Sequence, residues 1–369
     1  MSATFGTHLR LTLFGESHGA GIGITVDGLP PGFSPDFEQI RRHMQRRAPG
    51  RDPTATARKE ADEVRILSGL YQGHTTGAAL TGFIENTNVR SGDYAFHGCM
   101  RPGHADYPAF VRYDGASDPR GGGPFSGRLT APLVFAGSLC RQLLSEKGIA
   151  IAAHISAIAE VEDAPLPLLP EGDLLSRLNS SSFPLVDEGK EVLMRQVVAQ
   201  ARAEGDSVGG RIECVAVGVP AGVGSPFFRS VESVLSSLAF SVPAVKAVIF
   251  GDGLEMTTLR GSQANDCPRY VQGDITHVSN HNGGITGGIT NGMPVRFTVC
   301  IKPTPSISRP QQTINVLTGA NEDLSIRGRH DPCIVPRAAV VMESITAIGL
   351  LDLMLDPDNH FSFVRKEQS

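Results

Sequence analysis

Glycine sets the strongest constraint on this chain: it supplies 42 of 369 residues, about 11% where roughly 7% is ordinary. These glycines cluster, and with proline they bound short β-branched runs. Such a backbone makes many tight turns and close approaches, which suits an enzyme that cradles a ligand better than a helical scaffold. Hydrophobic residues make up 40%, enough for a sizeable core and too many for a disordered chain. The net charge of −5 excludes a general electrostatic binder of nucleic acid or anionic membranes. Apolar runs fall well short of the ~20 residues that span a bilayer, and the opening MSATFGTHLR lacks the features of a secretory signal. A cytoplasmic location is expected. The six cysteines lie far apart, without C-x-x-C or a histidine pair at metal spacing, so buried free thiols and no metal are expected.

Helices are expected at five places. Ser34, Pro35 and Asp36 predict an N-cap, a first helical proline and an acidic first turn, followed by Phe37, Ile40 and Met44 and a stop at Pro49-Gly50. A second helix runs from Thr130-Ala131-Pro132 to Gly148. A third follows Asp187, with Leu193, Val197 and Ala201 on one face and a stop at Gly205. A shorter one spans about 230–240, and the last follows Pro336 and ends near Pro357. Strands are expected at Ile22–Asp27, Val64–Ser68, Ala79–Glu85, Ile149–Ile158, Arg211–Val219, Val245–Phe250 and Val295–Ile301. In the last of these, Val295, Phe297, Val299 and Ile301 alternate as one buried face does. Strands and helices interleave without repeated βαβ units, so antiparallel pairing and an α+β class follow. Segments 162–185 and 309–323 read as surface loops, not linkers, so one domain over residues 1–369 is expected.

Three polar turns carry histidine: Gly15-Glu-Ser-His-Gly19, Arg101-Pro-Gly-His-Ala-Asp106 and Arg329-His-Asp-Pro-Cys333. The first matches G-x-S-x-G literally, but a hydrolase elbow needs a following helix, and residues 20–28 read as a strand. Histidine is the side chain that can give or take a proton near neutral pH. Asp118 to Arg128 is glycine-rich and leads into the helix at Thr130, which places backbone N–H groups and a dipole end where an anion could bind. Arg46, Arg47, Arg51, Arg101, Arg120, Arg128, Arg329 and Arg337 lie in or beside these turns, a pattern suited to a small, highly anionic ligand. Arg128 lies in no apolar stripe, so its removal is expected to leave folding nearly intact.

Taken in order, these residues resemble the chorismate synthase family. The resemblance rests on Phe14-Gly-Glu-Ser-His-Gly19 through Pro30, Arg101–Asp106, Gly121-Gly-Gly123, Ser126-Gly-Arg128, Gly283–Ile289, Lys302-Pro-Thr304, and Arg329–Cys333 through Glu343. Two departures stand out. Pro124-Phe-Ser-Gly-Arg128 replaces the family's common Arg-Ser-Ser-Ala-Arg, and Pro53 stands where an arginine is often found, with Arg51 nearby.

The resemblance implies a β-α-β sandwich with helices packed between antiparallel sheets, assembled as a homotetramer. It implies conversion of 5-enolpyruvylshikimate 3-phosphate to chorismate and phosphate, a 1,4-trans elimination that ends the shikimate pathway. Reduced FMN is needed but not consumed, with NADPH or an outside reductant as its electron source. By the same resemblance His18 protonates the departing phosphate, His104 acts at the reduced flavin, and Asp331 assists proton removal through flavin N5. Ser17 and Ser126 stand nearby as hydrogen-bond partners. Phe125, Ser126, Gly127, Arg128, Pro243, Ala244, Gly287, Lys302, Pro303, Thr304, Pro305, Ser306 and Arg329 are implied to hold the cofactor. Arg46, Arg47, Arg51, Arg101, Arg128 and Arg337 are implied to hold the substrate. The rival reading is a non-catalytic flavin- or anion-binding protein on the same fold; the presence of His18, His104 and Asp331 argues against it.

Overall fold

The structure, a computed structural model, describes residues 3–50, 62–87, 98–326 and 330–359. Two five-stranded antiparallel sheets form its outer layers. In the first, the spatial order is Thr4–Phe5, Arg10–Gly15, Gly21–Asp27, Leu80–Glu85 and Arg65–Ser68. The second runs Val245–Phe250, Val295–Ile301, Gly210–Val217, Ala150–Ile158 and Val161–Glu162. Between them lie the helices Thr130–Ser145 and Val335–Met354, packed on each other. The former also packs on Gly21–Asp27 and Leu80–Glu85, the latter on Ala150–Ile158 and Gly210–Val217. This is the α+β sandwich expected, with helices inside.

That central position explains the composition of Val335–Met354. A helix enclosed on every side must be apolar all round, and it is buried along nearly its whole length. The two middle helices approach closely because residue 137 has no side chain. A Cβ built at Gly137 falls 2.3 Å from Ser344 Cβ and 2.5 Å from its Cα. Gly137→Val is therefore expected to destabilise the fold by about 1–3 kcal/mol through overpacking, read by denaturant titration. Parental stability would mean that the helix pair yields easily.

Strand Val295–Ile301 matches its expected bounds and buries alternate residues throughout. Other expectations need correction. Asp36, not Ser34, caps the first helix Phe37–Arg47: its Oδ1 accepts from the N–H groups of Glu38 and Gln39, leaving Pro35 outside. The buried face of Glu191–Ala203 carries Met194 and Val198 with Ala201, one residue on from Leu193 and Val197, because Leu193 faces solvent. Segment 162–185 contains the helix Gly172–Ser180, whose Leu175 and Leu178 pack with Ala152 and Val215 over the second sheet's outer side. Segment 309–323 falls largely within the hairpin Gln311–Asn315 and Ala320–Leu324. The strand Arg10–Gly15 and the helix Asp106–Arg112 were not expected. All six cysteines are free thiols, but only Cys140, Cys214 and Cys333 are buried; Cys99, Cys267 and Cys300 are partly exposed. Among the described residues, no helix is long and apolar enough to cross a membrane.

Candidate active site

A cavity of about 990 Å³ opens where the glycine-rich loop, the turns at 98–106 and 302–306, residues 240–244 and the start of Val335–Met354 meet. Its volume lies at the upper end of the roughly 300–1,000 Å³ typical of ligand sites.

The turn between Arg10–Gly15 and Gly21–Asp27 brings Ser17 to this cavity. Asn86 braces the turn, its Nδ2 donating to Glu16 O at 2.9 Å and Gly19 O at 3.0 Å. Because a strand follows the turn, the hydrolase geometry is absent here, as the sequence indicated. Gly121, Gly122 and Gly123 take φ of +61°, +88° and +50°, conformations that favour glycine. Residue 121 has a second reason to be glycine: a Cβ there would lie 2.5 Å from His18 Cδ2 and 2.6 Å from its Nε2. The His18 ring therefore rests directly on the glycine loop.

Across the cavity, His104 Nε2 and Ser306 Oγ are 2.7 Å apart. The two turns are stitched further by Lys302 Nζ, which donates to Gly103 O at 2.6 Å, while within the first turn Arg101 holds Asp106 through Nε and Nη2, each at 2.7 Å. Burial, reinforced by the Arg101 charge, lowers the His104 pKa to about 4. The ring is thus neutral near pH 7 in the ligand-free protein. For His104 this corrects the expectation that the histidines of the polar turns can give a proton near neutral pH.

The arginines divide. Arg47, Arg101, Arg128 and Arg337 line the cavity. Arg337 Nη1 holds Asp331 Oδ2 at 2.5 Å while its Nε donates to Arg47 O at 2.9 Å. Arg46 turns inward instead, gripping the fully buried Glu343 at 2.7 and 2.9 Å beside Arg141 at 2.6 Å. The structure therefore makes Arg46 part of an internal ion cluster and not of the cavity wall. Arg51, Pro53 and Arg329 fall outside the described residues.

Of the remaining expected residues, Phe125, Ser126, Gly127, Pro243, Ala244, Lys302, Thr304, Pro305, Ser306 and Asp331 all line the cavity. Two are displaced from it. Pro303 lines a separate shallow cleft with Gly209 and Arg211. Gly287 sits in the tight turn between Ile285–Thr286 and Ile289–Thr290, outside the wall. Thr304 Oγ1 is buried without a hydrogen-bond partner, a condition that a polar ligand edge would relieve. Asp118 and His330 also line the site; both lie in flagged motifs but were assigned no role of their own. The flagged motif Arg329–Cys333 contained the signal for His330, and the glycine-rich segment from Asp118 to Arg128 contained that for Asp118.

The buried histidines make stability pH-dependent. Burial lowers His43 to about 3 and His104 to about 4, so the folded rings refuse protons that an unfolded chain takes up below ~6.5. Their contribution is complete above that value and is lost as pH falls toward 4 and 3. His154 opposes this: despite burial, its hydrogen bonds to Asp163 and Glu213 raise its pKa, so its contribution is lost as pH rises. Urea titrations are expected to show lower stability at pH 5 than at pH 7; a flat or opposite trend would contradict this balance.

A wall of arginines around a roomy cavity, with histidines and an aspartate on facing turns, defines an enzyme of α+β architecture acting on a small polyanion. Comparison with known proteins places it more narrowly. The family described as chorismate synthase matches residues 9–355. A chorismate synthase of Aeropyrum pernix is 45% identical over 353 residues, covering 95% of this chain and 92% of the relative. That of Thermococcus kodakarensis is 44% identical over 352 residues, covering 95% and 97%. A solved chorismate synthase structure superposes with a TM-score of 0.74 at 28% identity, covering 95% of this chain and 93% of that one. The chain belongs to the chorismate synthase family. Members are lyases of the shikimate pathway, in aromatic amino acid biosynthesis, and work with reduced flavin.

Proposed function

We propose that this chain eliminates phosphate from 5-enolpyruvylshikimate 3-phosphate to give chorismate, with reduced FMN held beside the substrate in the cavity. The observation that carries the reading is the meeting of Ser17, His104, Asp331 and four arginines on one cavity, with His18 directly behind its glycine loop. The substrate has two carboxylates and a phosphate, and each charge-assisted contact is worth about 1.5–3 kcal/mol. The orphaned Thr304 hydroxyl, the cavity's size and the glycine loop at a helix N-terminus fit a flavin with a phosphate tail. When bound, reduced flavin supplies electron density to the reacting system and regains it, so no net oxidation occurs.

The chain's own residues supply the rest. The reaction breaks a C–O and a C–H bond and forms a C=C bond. His18 holds a proton for the departing phosphate oxygen, and Arg47, Arg128 and Arg337 neutralise the charge that develops there. Asp331, oriented by Arg337, takes up the proton lost from carbon. His104, neutral and tied to Ser306, offers a hydrogen bond to the cofactor without adding charge. We further assign the protein to the cytoplasm, as one domain assembling into a homotetramer, with flavin reduction by an outside donor.

An anaerobic assay with dithionite-reduced FMN and substrate is expected to yield chorismate, followed by its absorbance. No turnover with both ligands bound would favour the non-catalytic binder. Replacing dithionite with NADPH tests the electron source, and light scattering tests the tetramer. Oxidised FMN is expected to bind at least tenfold more tightly with substrate present, because the substrate's anions complete the pocket's arginine wall. Isothermal titration giving equal affinities would contradict this.

A further inference from the structure

Two cavity arginines from separate elements share a carboxylate. Arg47 ends the helix Phe37–Arg47, and Arg128 lies in the turn before Thr130. Asp62 Oδ2 accepts from Arg47 Nη1 at 2.5 Å, and its Oδ1 accepts from Arg128 Nη1 at 2.6 Å. The Asp62 side chain is fully shielded from solvent. Among the described residues walling the cavity, both arginines are present and Asp62 is not. The carboxylate therefore grips the guanidinium groups from behind.

The surroundings hold this arrangement firmly. Asp62 has φ of +49°, in the left-handed region that aspartate enters more readily than most residues with a side chain. Arg128 is also fixed by Asn86 Oδ1 at 2.9 Å, and Arg47 O anchors Arg337 at 2.9 Å, which in turn holds Asp331. Two like charges converging on a partly dehydrated wall repel strongly. One carboxylate between them screens that repulsion and leaves the pair with net positive charge toward the cavity.

We infer that Asp62 is a positioning residue, setting the spacing of Arg47 and Arg128 so that both meet one substrate anion. The inference rests on reading the cavity as the phosphosubstrate site.

The test compares Asp62→Asn with the parent, with reduced FMN bound, and uses inorganic phosphate as an inhibitory probe. Expected is a roughly 10–100-fold fall in kcat/KM, mostly through KM, since misplacement by about an ångström costs that much. Inhibition by phosphate should stay parental or tighten, because a small ion adapts to two cations that have lost their screen. A merely structural role would weaken both together; that result, or parental kcat/KM, overturns the proposal. If Asp62→Asn does not fold, Asp62→Glu decides, since it keeps the charge and moves the carboxylate by one methylene. A tenfold or larger loss of kcat/KM at parental phosphate inhibition supports positioning, and parental kcat/KM overturns it. Arg128→Ala separates the underlying reading: if it leaves both measures parental, the anion wall itself is refuted and the proposal falls with it. If Arg128→Ala impairs both measures while the Asp62 variants are parental, only the role of Asp62 is refuted.

Discussion

His18→Ala is expected to slow elimination by roughly 10²–10⁴-fold, the range associated with general acid catalysis. Substrate affinity should change far less, because arginines on other elements carry most of the anion recognition. The structure adds an independent way to make the same test. His18 lies so close to Gly121 that a methyl group there would overlap its ring. Gly121→Ala must therefore push the imidazole away or distort the loop, and it should impair turnover without touching the histidine's chemistry. The measurement is single-turnover decay with reduced FMN already bound, comparing His18→Ala, His18→Asn and Gly121→Ala with the parent. Asparagine preserves hydrogen bonding but cannot donate a proton as imidazolium does. A near-parental rate in His18→Asn would show that the ring only braces its turn, and the role as acid would fall.

Arg128→Ala is expected to lose roughly 2–4 kcal/mol of transition-state stabilisation, or about 30- to 1,000-fold in kcat/KM. The sequence suggested that folding would be nearly untouched, and the structure revises that. The Arg128 side chain is largely buried, and it holds Asp62, Asn86 and Glu85 O together. Its removal leaves these acceptors short of a donor, at about 1–3 kcal/mol of stability. Asp62 keeps Arg47 as a partner, so the protein should still fold. Kinetics normalised to folded protein, alongside a denaturant titration, separate the two losses. Early unfolding with normal activity per folded molecule would make Arg128 structural alone.

Local chemistry made much of the fold legible. The alternation in Val295–Ile301, the Thr130-Ala-Pro start of a middle helix and the hydrophobic run after Pro336 each report burial directly, because side-chain periodicity is set by backbone geometry. The short helix Gly172–Ser180 escaped notice because its polar, proline-containing surroundings hide two buried leucines that only the outer side of the second sheet calls for.

The sequence by itself determined the α+β class, the glycine loop feeding a helix and the histidine-bearing polar turns. All of these depend on residues near one another in the chain. Tertiary structure decided which charged groups face the cavity. Arg46 and Arg47 are neighbours, yet one is bound to Glu343 inside the helix layer and the other opens onto the cavity. Asp62 stands between Ala61 and Glu63, with no local sign that two distant arginines will close on it. The neutral state of His104 likewise comes from burial beside Arg101, under a loop supplied by residues 302–306. Desolvation and ion pairing depend on what the rest of the chain brings into contact, so no window of sequence contains them.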